Sequence, residues 1–256
     1  VSTELGAEWI GQALHLSEEA GWNQNEADWG IFFAHGTVLG VVDGRNLAAT
    51  AAVLPYGDKF GWISMVLVTR AWRGRGIATR LVDACIKLLR DAGRAALLDA
   101  TPAGEVVYRK LGFVPLLAMR RFLGSGRAMD DCGGKVNLTQ EKSAFGADRR
   151  FLLKNFLARP GSLAFPAAEG FAILRQGAAA MQVGPVVDSI APALAAIDAA
   201  RGPVLIDVLQ AGYALIPLLD VRGFREQRRF TRMALGTPTP PGNPARLLCA
   251  AGPEFG

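Results

Sequence analysis

The run Val66-Leu67-Val68-Thr69-Arg70-Ala71-Trp72-Arg73-Gly74-Arg75-Gly76-Ile77-Ala78 joins an apolar strand to a helix through a loop rich in glycine and arginine. The strand, over residues 61–68, is apolar on both faces and therefore central in a sheet. The helix buries a stripe of Ile77, Leu81, Cys85, Leu88 and Leu89, turns Arg80, Asp83, Lys87 and Arg90 to solvent, and stops at Gly93. Glycines in the loop allow close backbone approach. Amides from about Gly74 to Ala78 then point at one spot, with the positive end of the helix dipole behind them, an anion site suited to a pyrophosphate. Arg73 and Arg75, with Arg70 and Arg80 near, add positive charge there.

Three readings compete for such a loop. A P-loop requires Gly-Lys-Ser/Thr after a four-residue gap, which is absent. A dinucleotide fingerprint requires a third glycine where Thr79 stands. Asp99, 20 residues on, imitates the ribose-binding acid, yet residues 69–73 separate the glycines from the strand, and an antiparallel hairpin precedes it. The third reading fits best. Arg73-x-x-Gly76-x-Ala78, between a Val-x-Val strand end and an amphipathic helix, resembles the acyl-CoA loop of the GNAT N-acetyltransferases. Tyr108-Arg109-Lys110-Leu111-Gly112-Phe113 resembles that family's Tyr-x-x-x-Gly-Phe segment, so the likeness covers about residues 1–124.

Outward from the loop, periodicity predicts helices over 4–20 and from Asn25 to about residue 33, with Asn25 as N-cap and acids in the first turn. Strands over 37–42 and 47–54 meet at Asp43-Gly44, a hairpin signal. A strand over 95–99, a helix over 103–111 and a strand over 113–122 complete a first unit. Polar, glycine-rich residues 124–146 read as a linker. The second unit repeats the order: Leu97-Leu98-Asp99 … Gly112-Phe113 returns as Leu205-Ile206-Asp207 … Gly223-Phe224. In place of the loop, the second unit has Val183-Gly184-Pro185-Val186-Val187-Asp188, where Pro185 lacks an amide donor and no arginine is adjacent. The arrangement resembles YitH-type tandem GNAT proteins, with a degenerate C-terminal domain. Arg229-Phe230-Thr231-Arg232-Met233 and Gly252-Pro253-Glu254-Phe255-Gly256 carry the same likeness. The implied fold is α+β: a mixed, largely antiparallel sheet flanked by helices, duplicated in tandem (the acyl-CoA N-acyltransferase fold). Expected divisions are an acetyl-CoA-binding domain at 1–124, a linker at 125–146 and a degenerate domain at 147–256.

Composition sets outer bounds. The chain has 256 residues, 50% of them hydrophobic and 20% charged, enough to bury a core in one large or two modest domains. Net charge is +5, but residues 1–124 hold 13 Lys/Arg against 12 Asp/Glu and residues 125–256 hold 15 against 11, so no half reads as a nucleic-acid face. No apolar run reaches a membrane span, and Val1-Ser2-Thr3-Glu4 lacks a secretory pattern. Cys85, Cys132 and Cys249 stand far apart and fit reduced thiols of a cytoplasmic protein. His15 and His35 have no Cys or His neighbours, which argues against a metal site or a Ser-His-Asp triad.

The resemblance implies an acetyl-CoA-dependent N-acetyltransferase acting in a ternary complex, without metal, on a small-molecule amine or a peptide amine. Cofactor contacts fall on Val66, Leu67 and Val68, whose backbone pairs with the pantetheine arm, and on Arg73, Gly74, Arg75, Gly76, Ile77, Ala78 and Thr79. Tyr108 is the candidate general acid, a phenol of unperturbed pKa ~10 facing a thiol near ~8.5; the alternative is a packed helix tyrosine. Glu26, Asp28 and Asp99 are candidate bases, each also readable as structural, and water is the further alternative. Trp22, Asn23 and Trp29 form the expected acceptor wall, or core. Cys85 reads as core. An acyl-CoA-binding regulator or pseudoenzyme, and a nucleic-acid module using the arginine loop, are the alternatives; a homodimer is open.

Overall fold

Asn25 starts the first well-capped helix: its side chain accepts from the Asp28 amide at 3.0 Å while the Asp28 carboxylate accepts from the Asn25 amide at 3.1 Å. In the computed structural model, which describes residues 2–131 and 133–256, the first half runs β1 (Thr3–Glu4), α1 (Ile10–Glu19), α2 (Glu26–His35), β2 (Thr37–Asp43), β3 (Asn46–Tyr56), β4 (Phe60–Val68), α3 (Ile77–Asp91), β5 (Ala95–Ala100), α4 (Pro102–Lys110) and β6 (Val114–Ser125). The second half runs α5 (Thr139–Phe145), α6 (Arg150–Leu157), β7 (Leu163–Pro166), β8 (Phe171–Arg175), β9 (Met181–Val187), α7 (Ala191–Ala199), β10 (Pro203–Leu209), α8 (Ile216–Val221), β11 (Arg225–Leu235) and β12 (Leu247–Cys249). Cys132, expected as a reduced thiol, lies outside the described residues, as does Val1.

Among the described residues the strands form one sheet of twelve, ordered β1-β2-β3-β4-β5-β11-β6-β10-β12-β9-β8-β7. It is mixed and mostly antiparallel; the parallel pairs are β4 with β5 and β9 with β10. Each half gives its long last strand to the other. β11 pairs with β5, and β6 pairs with β10, while β6 and β11 pair with each other. The sequence reading counts each last strand as completing its own unit and assigns it no partner. Pairing partners are decided by which edges meet in space, which a repeat pattern does not encode.

The exchange is fastened symmetrically. Asp99 on β5 stands opposite Arg232 on β11, with both carboxylate oxygens bound by the guanidinium at 2.9 Å. Asp207 on β10 stands opposite Arg121 on β6, bound at 2.7 and 2.8 Å. The repeated Leu-x-Asp motif thus supplies two buried aspartates, each gripping an arginine of the other half's last strand.

Two segments that composition hides are structured. The expected linker contains α5, which buries Glu141, Ala144 and Phe145. Phe145 packs on Tyr56, Phe60 and Trp62 at ring separations of 4.8, 5.6 and 6.1 Å. After the proline-rich turn, β12 inserts between β9 and β10: Leu247 and Cys249 pair with Val187 and Val186, and Cys249 with Val208. Among the described residues no helix is long and apolar enough to cross a membrane.

Candidate active site

The parallel pair β4–β5 is short. It links Phe60 with Ala95, Gly61 with Ala96 and Trp62 with Leu97, and past Trp62 no further pairing joins the two among the described residues. A bulge then bends β4: Ala52 lies opposite Ser64 but Thr50 lies opposite Leu67, one residue extra on β4. Met65 takes φ +52°, and the Thr50 hydroxyl donates to the Met65 carbonyl at 2.9 Å. The strands part around a cleft of about 720 Å³, counting its open mouth. Ser64, Met65, Val66, Asp99 and Tyr108 line it from the first half. Trp22 and Gln24 of the α1–α2 loop close one side. Arg121, Arg228, Phe230 and Glu254 reach it from the exchanged strands and the final segment.

The glycine loop is built as an anion cradle. Gly74 and Gly76 have φ +75° and +70°, conformations that cost side-chain-bearing residues about 1–2 kcal/mol. Gly76 caps α3 without any side-chain hydrogen bond, and the first helical bond runs from the Arg80 amide to the Gly76 carbonyl at 3.2 Å. The first-turn amides of Ile77, Ala78 and Thr79 therefore have no intrahelical acceptor. Arginines brace this shape. Arg73 Nε donates to the Val68 carbonyl at 2.9 Å, Arg75 to Ala71 at 3.0 Å and Arg80 to Arg75 at 2.9 Å. Arg75 also stacks 4.9 Å from the Trp72 ring. Glu19 accepts from the Thr69 hydroxyl and the Arg70 amide, both at 2.7 Å, which hold its carboxyl below the usual range. These amides and arginines fit a pyrophosphate, and the unpaired edge of β4 at Val66–Val68 fits an extended amide-bearing arm.

Tyr108 lines the base of the cleft, packed 6.0 Å from Phe113. Burial pushes its hydroxyl up to about 12. Asp99 lines the cleft as well, but Arg232 occupies both of its oxygens. The Asp207–Arg121 pair repeats this arrangement in the half without the loop.

Three further expectations are corrected. Glu26 is exposed on the first turn of α2 and does not line the cleft. Trp29 is fully buried, donating to the Ser17 hydroxyl at 3.0 Å. Asn23 turns away to hold the second half, donating to the Ala180 carbonyl at 3.0 Å and accepting from the Ala179 and Ala180 amides at 2.9 Å. Of the expected acceptor wall only Trp22 faces the cleft. The sequence reading did not place Gln24, Ser64, Arg121, Arg228, Phe230 or Glu254 in the site; Phe230 and Glu254 stood in stretches quoted for family likeness, but only exchange and threading bring these residues to the cleft. Gln24 Oε1 and Ser64 Oγ are buried without a hydrogen-bond partner among the described residues.

The second half has lost this geometry twice over. Where β9 and β10 part, β12 fills the gap. Where the loop would precede α7, Asp188 stands paired to Arg246 at 2.8 and 2.7 Å, a carboxylate where phosphates would lie.

Residues 6–113 match the profile described as Acetyltransferase (GNAT) family, and residues 138–248 match that described as Acetyltransferase (GNAT) domain. A rice (Oryza sativa subsp. japonica) protein described as a candidate glucosamine 6-phosphate N-acetyltransferase is 39% identical over 59 residues, 23% of this chain and 36% of that protein. An aminoglycoside 2'-N-acetyltransferase of Mycolicibacterium fortuitum is 28% identical over 102 residues, 36% of this chain and 50% of its own length. The chain thus spans half or less of these curated relatives. A Pyrococcus horikoshii structure described as a candidate acetyltransferase superposes with TM-score 0.83 at 20% identity, covering 100% of this chain and 95% of the other. A tandem GNAT protein from the clavulanic acid biosynthesis pathway superposes with TM-score 0.62 at 14% identity, covering 92% and 98%. At these identities the structures establish a shared fold.

Proposed function

Because the chain is a tandem of two GNAT acetyltransferase domains, we propose that it transfers the acetyl group of acetyl-CoA to an amine, with the first half active and the second half silent. One observation carries this reading: the anion cradle at the start of α3 follows β4 in the chain, and Ser64, Met65 and Val66 of that strand line the cleft together with Tyr108. Amides at Ile77–Thr79 and the surrounding arginines hold the cofactor's phosphates. The free edge of β4 aligns its arm, and a main-chain amide near Val66–Val68 supports the oxyanion. Tyr108 protonates the departing thiolate. The amine class of the relatives, a sugar amine and an aminoglycoside, supports a small-molecule acceptor.

The test is CoA release over a panel of small amines, amino acids, polyamines and peptide termini. Arg73→Ala should raise the KM for acetyl-CoA, because Arg73 braces the loop at Val68. Tyr108→Phe should lower kcat by about 10²-fold, the lower end for a general acid, and leave acetyl-CoA affinity unchanged. Full turnover in Tyr108→Phe would reject its role. Calorimetry should find one equivalent of acetyl-CoA; two would reject a silent second half.

A further inference from the structure

We propose that Glu254, delivered to the cleft by the segment that follows β12, is the base that takes the proton of the acceptor ammonium. The proposal rests on the acetyl-transfer reading above and names the group that the sequence left open.

The segment's course is what places the carboxylate. After filling the gap in the second half, the chain crosses beneath the first half and is pinned from four directions. Arg175 donates to the Ala251 carbonyl at 3.1 Å, and Trp62 Nε1 to the Pro253 carbonyl at 2.9 Å. The Tyr56 hydroxyl donates to the Phe255 carbonyl at 2.8 Å, and Arg149 to the Phe255 and Gly256 carbonyls at 2.7 Å. Gly252 makes room for the carboxylate: a Cβ there would lie 2.5 Å from Glu254 Oε1 and 2.8 Å from Oε2. Glu254 is 5% exposed yet lines the cleft with Tyr108 and Ser64.

Its side-chain hydrogen bonding engages one oxygen, and its own backbone amide also acts on the carboxylate. Oε1 accepts from Arg175 Nη2 at 3.0 Å; among the described residues no side chain donates to Oε2. The other carboxylates nearby are spoken for. Arg232 takes both oxygens of Asp99, while Arg121 and Gln182 take those of Asp207. Asp28 is shared by Arg159, Arg175 and the Asn25 amide. The groups around Glu254 have opposed effects. Burial and the Asp28 charge on α2 push its carboxyl above the ordinary value, against Arg175 on β8 and Arg121 on β6. Arg159 and Tyr56 also feel its charge. A second observation points to an amine: Gln24, whose Oε1 is buried without a partner among the described residues, lines the same cleft. A buried orphan acceptor requires a donor, and an ammonium supplies three N–H groups.

In the step proposed, the ammonium gives one proton to Glu254 Oε2 and keeps a hydrogen bond to Gln24 Oε1. The freed nitrogen lone pair forms the C–N bond at the thioester carbonyl. The C–S bond breaks, its electron pair leaves on sulfur, and sulfur takes the Tyr108 proton. The surplus proton on the new amide nitrogen returns to the Tyr108 oxygen, and the Glu254 proton leaves through the cleft mouth to solvent.

The experiment compares wild type, Glu254→Gln, Glu254→Asp and Gln24→Leu by acetyl-CoA calorimetry and by kcat and KM against pH, using the best amine of the panel. Glu254→Gln should bind acetyl-CoA as wild type does and lose about 10²-fold in kcat near neutral pH. That loss should shrink as pH approaches the amine's own pKa, because solution then supplies neutral amine. Glu254→Asp should retain part of the activity with a displaced acid limb, and it carries the test if Glu254→Gln fails to fold. Gln24→Leu should raise the KM of the amine alone. Wild-type kcat in Glu254→Gln, a loss equal at every pH, or an unshifted limb in Glu254→Asp would overturn the proposal while leaving the transfer reading intact. Acetyl-CoA binding without CoA release to any amine would overturn both.

Discussion

Replacing Asp99 by Asn tests whether this residue is a strand clasp or a base. The Asp99 side chain is wholly buried and its partner Arg232 is 5% exposed, with two hydrogen bonds of 2.9 Å between them. Asn keeps the size but removes the charge, leaving the Arg232 guanidinium uncompensated beside the Trp62 ring, 4.6 Å away. Breaking one member of a buried pair costs about 3–5 kcal/mol. For a chain of this size about 2–4 °C accompanies each kcal/mol, so the melting temperature should fall by roughly 6–20 °C. Urea denaturation followed by circular dichroism gives the free energy directly. Replacing both members by apolar residues of similar volume, Asp99→Leu with Arg232→Met, should restore stability to within about 2 kcal/mol of wild type, since the desolvation penalty then disappears. Asp207→Asn should repeat the single-mutant loss in the second half. If Asp99→Asn costs less than about 1 kcal/mol, or the double variant equals the sum of its singles, the clasp is refuted. Abolished turnover at full stability would restore Asp99 as the base.

Two further outcomes follow from the geometry. Gly184→Ala would set a Cβ 2.0 Å from the Ala250 carbonyl and displace the final segment; turnover should fall several-fold while acetyl-CoA affinity in the other half is unchanged, and parallel losses of both would contradict this. Glu105 accepts from Thr231 on β11 and from Arg109, which hold its carboxyl below the ordinary 4.5. A depressed carboxyl contributes stability above its unfolded pKa that is lost as pH falls through the folded one. The melting gap between wild type and Thr231→Val should therefore narrow from about pH 6 to about pH 3; a constant gap would show that the hydroxyl does not act through this carboxylate.

Local signals carried much of the fold. Asn25 with Asp28 wrote the start of α2, Gly76 and the stripe from Ile77 to Leu89 wrote α3, and the spacing of Gly44 set the hairpin. The cradle was legible because its chemistry is backbone chemistry: left-handed glycines and unpaired amides follow from sequence within a few residues. Asn23 and Trp29 misled because polarity and aromaticity identify a residue type and not its direction; one turned to Ala180 and the other into the core. The strand β12 escaped notice because its three residues are too few to show a period.

The sequence by itself determined the repeat, the longer elements of each half and the single anion loop, because each depends on neighbours along the chain. Tertiary structure alone decided that the last strands change places, that Asp99 and Asp207 meet arginines of the opposite half, and that Glu254 stands in the cleft beside Tyr108. Sheet edges pair by hydrogen bonds common to every residue, so their partners are selected by packing over the whole molecule. One loop, written in thirteen consecutive residues, therefore carries the proposed cofactor site, while the cleft proposed for the amine is lined from both halves.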